Sequence, residues 1–160
     1  MQKTSAGLLL LEYAVEGDLC KMHIPGHRPA CRADGLWQHT CFEAFLMSGQ
    51  GYFEFNFAPS TAWAIYHFGA YREGMSAVQA AGPPNIALEL DTRSLRLNAT
   101  IDLSGLSPSV RSENASLALA AVIEEQGGSL SYWALAHPPG KPDFHHRDNF
   151  ALRFDLTDFR

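Results

Sequence analysis

Two aromatic, β-compatible runs joined by a glycine-containing link constrain this chain most. They are "DGLWQHTCFEAFL", residues 34–46, and "YFEFNFAP", residues 52–59, with "SGQG" between them. Phe, Tyr, Trp and Thr favour the pleated conformation, and a short link containing Gly predicts a hairpin. Alternation puts Trp37, His39, Cys41, Glu43 and Phe45 on one face of the first run, with Gln38, Thr40, Phe42, Ala44 and Leu46 on the other. In the second run Phe53, Phe55 and Phe57 share one face, and Tyr52, Glu54 and Asn56 the opposite one. Such a hairpin offers one apolar face for a core. Its other face carries aromatics, carboxylates, an amide and an imidazole.

The same punctuation continues in both directions. "GLLLLEYAVEG", "LCKMHI", "STAWAIYHFGAY" and "FALRFDL" read as strands, the last with Phe150, Leu152 and Phe154 on one side. "IALELDTRSLRLNATIDLSGL" reads as a hairpin turning at "DTRS". "ASLALAAVIEEQ" is rich in the helix formers Ala and Leu, yet "QGGS" joins it to "LSYWALAH" in a hairpin pattern, which favours a strand. "REGMSAVQAAGPPN", "SPSVRSEN" and "PPGKPDFHHRDN" read as loops, with Asp148 and Asn149 starting the turn into the last strand. Roughly nine or ten short strands with no three-turn helix predict an all-β antiparallel sandwich of jelly-roll type. Phe53, Phe55, Phe57, Leu97, Ile101 and Leu119 are its expected core. At 160 residues the chain is expected to form one domain spanning 1–160.

A net charge of −5 without any Lys/Arg cluster argues against nucleic acid and against a polybasic membrane surface. The apolar run Ala6–Leu11 is too short for a signal peptide, and no stretch reaches membrane-spanning length. Cys20, Cys31 and Cys41 are odd in number and lack C-x-x-C spacing, which suits a reducing cytoplasm.

The polar face suits a polyhydroxylated ligand. Sugar rings stack on Trp and Tyr, while their hydroxyls need Glu, Asn and Arg. The candidate site is Trp37, His39, Glu43, Asn56, Arg72, Trp133 and His137, with Trp63 or Tyr66 as further aromatics. The alternative core role is open for Trp37 and Trp133. The segment "LWQHTCFEAFL...GYFEFNFAPSTAWAIYHFGAYREGM" and the terminal "LSYWALAHPPGKPDFHHRDNFALRF" resemble DOMON-like bacterial domains related to family 9 carbohydrate-binding modules. Phe42-Glu43-Ala44-Phe45 and Tyr52–Pro59 take the places of that family's two strand motifs. His39-Thr40-Cys41 stands where the sugar-binding modules often have Asp-Asp, so their calcium or sugar contacts are not carried over to these positions. The resemblance implies a sandwich with a ligand on one face or end, the ligand in relatives being a sugar or haem.

Three rivals to saccharide binding follow from the residues. Metal binding would draw on His145 and His146, with His39, His137, Cys41 or Glu43 as further ligands, although no zinc-type spacing is present. Haem would need Met22, His23, Met47, His67 or Met75 as an axial ligand. Hydrolysis would need Glu43 and Glu54 as a carboxylate pair. A protein-interaction module using an exposed sheet face is a further alternative. The expectation is a non-catalytic binding domain without cofactor, with Cys41 as packing. The oligomeric state is not legible in the sequence.

Overall fold

The computed structural model describes residues 2–3, 7–78, 82–106 and 114–154. Their strands are β1 (Gln2–Lys3), β2 (Leu8–Glu16), β3 (Cys41–Ser48), β4 (Tyr52–Phe57), β5 (Trp63–Phe68), β6 (Ser76–Ala77), β7 (Asn85–Leu90), β8 (Ser94–Asp102), β9 (Ala115–Glu124), β10 (Leu130–Ala134) and β11 (Leu152–Phe154). Only 3-10 turns accompany them among the described residues, and no helix is long and apolar enough to cross a membrane.

Two antiparallel sheets pack as a sandwich. The smaller has the order β1-β2-β8-β7. The larger runs β10-β9-β3-β4-β5-β6, with β11 beside β9. The side-chain period of two then sorts every residue. Leu9, Leu11, Leu95, Leu97, Ala99 and Ile101 of the small sheet meet Phe42, Leu46, Phe53, Phe55, Phe57 and Ile65 of the large one in the buried core, and Leu119 packs against it. Tyr13 crosses this layer and donates its hydroxyl proton to the carbonyl of Glu43 at 2.8 Å.

The outer face of the large sheet is buried too, and this positions the site. Cys41, Phe45, Tyr52, Tyr66, Phe68 and Val122 form a second apolar cluster there with Leu36, Phe144 and Phe150. Its cover comes from two connections. Residues 17–40 link β2 of the small sheet to β3 of the large one, their 23–40 part lying over this face, and residues 135–151 leave β10 and return to β9 through β11. They cover the outer face of β4 while the small sheet covers the inner one, so β4 is buried on both faces.

Several expectations change. Strand pairing starts at Cys41, because Gly35 takes a left-handed backbone (φ 74°) and Leu36–Gln38 form a 3-10 turn. Trp37 and His39 therefore do not share the β3 alternation. "LCKMHI" is a 3-10 turn at Leu19–Lys21 plus one antiparallel bridge between Met22 and Glu125. Phe150 precedes β11 and joins the outer cluster, whereas Leu152 packs toward the core between the sheets, so they do not share a side. "ASLALAAVIEEQ" is strand: Leu117 and Leu119 are needed on one face and Ala118 and Ala120 fit beneath the covering loop on the other, so packing overrides helix propensity. The loop "SPSVRSEN" lies mostly outside the described residues.

Candidate functional site

Register fixes which side chains meet on the outer face. Glu43 pairs with Asn56 and Phe45 with Glu54, while Glu54 pairs with Tyr66. On the other side of β3, Glu43 faces Ala120 and Cys41 faces Val122, which in turn faces Tyr132. The small residues Ala118 and Ala120 leave room above the sheet. A cavity of about 400 Å³ opens there, lined by Glu43, Glu54, Arg72, Tyr132, His145 and Trp37 among others.

Its floor is polar and desolvated. Glu43 is 3 % exposed, and its Oε1 has no hydrogen-bond partner. Burial, reinforced by the neighbouring Glu54 charge, pushes its carboxyl well above the ordinary range, which favours the protonated form. Glu54 is also raised, by burial, against the opposing pull of Asn56 and Arg72. Asn56 donates to Glu54 Oε1 at 2.7 Å and accepts a weak bond from the Cys41 thiol at 3.5 Å. Burial and then Glu43 push the Cys41 thiol up, which suits packing and not nucleophilic attack.

The wall comes from two turns. Arg72 takes a left-handed backbone (φ 55°), uncommon for a residue with a side chain. Its guanidinium donates to Asp143 at 2.7 Å, and its N–H donates to the Tyr52 hydroxyl at 3.2 Å. Tyr71 donates to the same carboxylate, as does the His145 backbone N–H. Asp143 thus ties the 135–151 loop to the β5–β6 connection. The Tyr52 hydroxyl lies 2.7 Å from His145 Nδ1. Burial, with Arg72 nearby, lowers the His145 pKa to about 4, so the ring is neutral. Tyr52 already accepts from Arg72, so we assign it as donor to Nδ1, leaving the ring proton on Nε2, 3.7 Å from Glu54. At the rim, Trp37 is 37 % exposed and meets the Tyr66 ring edge-on at 5.9 Å between centroids. Tyr66 in turn donates to Asp34 at 2.6 Å, fixing the loop that carries Trp37.

The predicted residues divide. Trp37, Glu43 and Arg72 line the cavity, and Asn56 supports its floor. Trp37 arrives through the 3-10 turn and not through strand parity. Trp133 does not join them. It pairs with Ala121, opposite Phe42, so it lies on the inner face at the sheet's edge, 63 % exposed. There it borders an apolar cleft of about 630 Å³ between β2 and β10. His137 has left β10 and packs on Phe144, 6.2 Å between centroids. His39 turns away toward Glu124. His145 and His146 diverge: the first faces the cavity, while the second caps the 3-10 turn at Arg147–Asn149 through the Asp148 N–H. Asn149 is buried and donates to the Asp143 carbonyl. Trp63 belongs to the inner core and Tyr66 to the outer face. The haem candidates are dispersed, with Met22 in the core, His23 on Glu124, His67 against Phe53 and Met75 at the cavity. Tyr132 and His145 are cavity residues missed as ligand contacts. Counting parity from Glu43 across β9 to β10 would have found Tyr132.

No family model matches the chain, and no curated protein is significantly similar to it. Among solved structures, a "putative carbohydrate-binding protein" from Bacteroides uniformis ATCC 8492 superposes with a TM-score of 0.62 at 15% identity, covering 94% of this chain and 73% of that one. The likeness is one of fold: both are β-sandwiches of the same general build.

Proposed function

We propose that this chain is a non-catalytic binding domain whose outer-face cavity takes a carbohydrate or similar polyhydroxylated small molecule. The observation that carries the reading is Glu43, a buried carboxyl with an unpartnered oxygen at the floor of a cavity rimmed by Trp37 and Tyr132. Buried polar groups are normally satisfied, so an unsatisfied one in a cavity supports a ligand partner. A neutral carboxyl can donate as well as accept, as can a sugar hydroxyl. Trp37 offers an apolar ring for a sugar's C–H face, and Arg72 a fixed donor fork. The fold of the Bacteroides uniformis protein supports the same class. The resemblance to DOMON-like domains belongs to this reading. So does a cytoplasmic address, supported by unpaired Cys20 and Cys31 on the surface.

The test is a glycan array followed by calorimetry with the best saccharide, using wild type and Glu43→Met. Binding by the wild type, weakened about tenfold in the folded variant, is expected for the loss of one hydrogen bond. Absence of saccharide binding, or equal affinity in both, overturns the reading.

A further inference from the structure

A second constellation lies at the foot of the 23–40 connection. His23 and His39 each aim Nδ1 at the same oxygen, Glu124 Oε2, and both distances are 2.8 Å. The three ligand atoms lie within 4.8 Å of one another. Two imidazoles converging on one carboxylate oxygen form a donor set that a tetrahedral or six-coordinate ion accepts directly.

The backbone beneath is braced. His23 N–H donates to the Glu124 carbonyl at 2.7 Å, next to the Met22–Glu125 bridge. Thr40, fully buried, donates its hydroxyl proton to the His23 carbonyl at 2.6 Å and accepts from the Glu124 N–H at 3.1 Å. One threonine therefore holds the three segments in mutual register. The imidazoles themselves are about half exposed (47% and 58%), which leaves room for water or a further ligand on the open side.

We propose that His23, His39 and Glu124 bind a divalent transition-metal ion of the zinc class. With bonds of about 2.0–2.1 Å, ligand atoms around a tetrahedral ion sit roughly 3.3 Å apart. Small rotations of two exposed rings open the present 2.8 Å gaps to that spacing. On binding, a neutral ring with its proton on Nδ1 shifts that proton to Nε2 by exchange with solvent, a doubly protonated ring releases one proton to solvent, and the ion takes the vacated Nδ1 lone pair. The ion clamps both ends of the loop whose Asp34 and Trp37 contact Tyr66. The proposal uses different residues from the saccharide reading and does not rest on it.

The test uses the 160-residue chain carrying Cys20→Ser and Cys31→Ser, which removes the exposed thiols as competing ligands. After dialysis against a chelator, zinc or cobalt(II) is titrated in. Melting temperature and the visible absorption of cobalt(II) are the two readouts. One equivalent is expected to raise the melting temperature by several degrees and to give the intense absorption of a low-coordinate cobalt(II) site. Both effects should vanish in His39→Ala and in Glu124→Gln, while the metal-free melting temperatures of these variants stay close to that of the parent. Failure of the parent to respond, or a response that persists in both variants, overturns the proposal.

Discussion

At Glu43 strand alternation and burial act against each other. Parity sends the side chain away from the inter-sheet core, where a carboxylate would ordinarily find water. The covering loops leave it 3 % exposed instead, with Oε1 unpartnered. An unsatisfied buried polar atom costs about 1–3 kcal/mol, so Glu43→Met should raise stability by that order in urea unfolding while weakening the ligand. A fall in stability would mean that the carboxyl has a partner in solution. Trp37 gives the complementary case. It is partly exposed at the rim and does not lie between the sheets. Trp37→Ala should therefore lower saccharide affinity roughly tenfold, as expected for loss of a stacking ring, with a small change in melting temperature. A loss of about 3–5 kcal/mol in stability, the range for a core aromatic, would instead mark Trp37 as packing.

Among the elements, the β3–β4 hairpin carries most of the site, and its turn is tightly specified. Gly51 has φ 79°, and a Cβ built there would stand 2.1 Å from the Phe68 carbonyl oxygen. Gly51→Ala must therefore bear left-handed strain of about 1–3 kcal/mol and also push β5 away. Thermal unfolding should show a clear destabilisation. A melting temperature equal to wild type would mean that the turn can rearrange without disturbing the pairing. The hairpin itself was legible, since two alternating runs and "SGQG" state it directly. The 3-10 turn at Leu36–Gln38 was not, because "LWQHT" fits a strand by residue type and only the wrap of the loop over Tyr66 rejects it.

For the whole molecule, burial on both faces of the large sheet makes stability depend on pH in two opposing ways. His145 is lowered from 6.5 to about 4 by burial and then by Arg72, so the unfolded chain binds its proton more readily. Its contribution is full above pH 6.5 and is lost as pH falls toward about 4. Glu43 and Glu54 are raised above 4.5, so the folded chain holds their protons more tightly. Their contribution is present below pH 4.5 and is lost as pH rises through the raised values. In unfolding measured across pH, His145→Gln should flatten the acid limb alone, and Glu43→Met the alkaline limb. If His145→Gln left the acid limb unchanged, burial of that ring would not be its cause. The core between the sheets is a simpler matter: Phe55 is fully buried, and Phe55→Ala should cost about 3–5 kcal/mol in chemical denaturation.

The sequence by itself determined most strands and hairpins and the inner core, because a period of two in Phe53, Phe55, Phe57, Leu97 and Ile101 survives in any packing that buries one face. It also put Glu43 and Asn56 together on the opposite face, which follows from pairing across one tight turn, whereas the choice between Trp63 and Tyr66 as their aromatic neighbour waited for the β4–β5 register. Tertiary structure alone decided what lies over that face. The Pro-rich loop brings His145 and Asp143 to Arg72 across some seventy residues, and no local period encodes that meeting. It also decided the fate of Trp133 and His39. Both looked like partners of Glu43 by alternation within their own runs. The register of β10 on β9 sent Trp133 to the other side of the sheet, and the 3-10 turn released His39 to join His23 at Glu124. Alternation reports the face of a residue only once the strand's limits and register are known, and both are set by contacts far away in the chain.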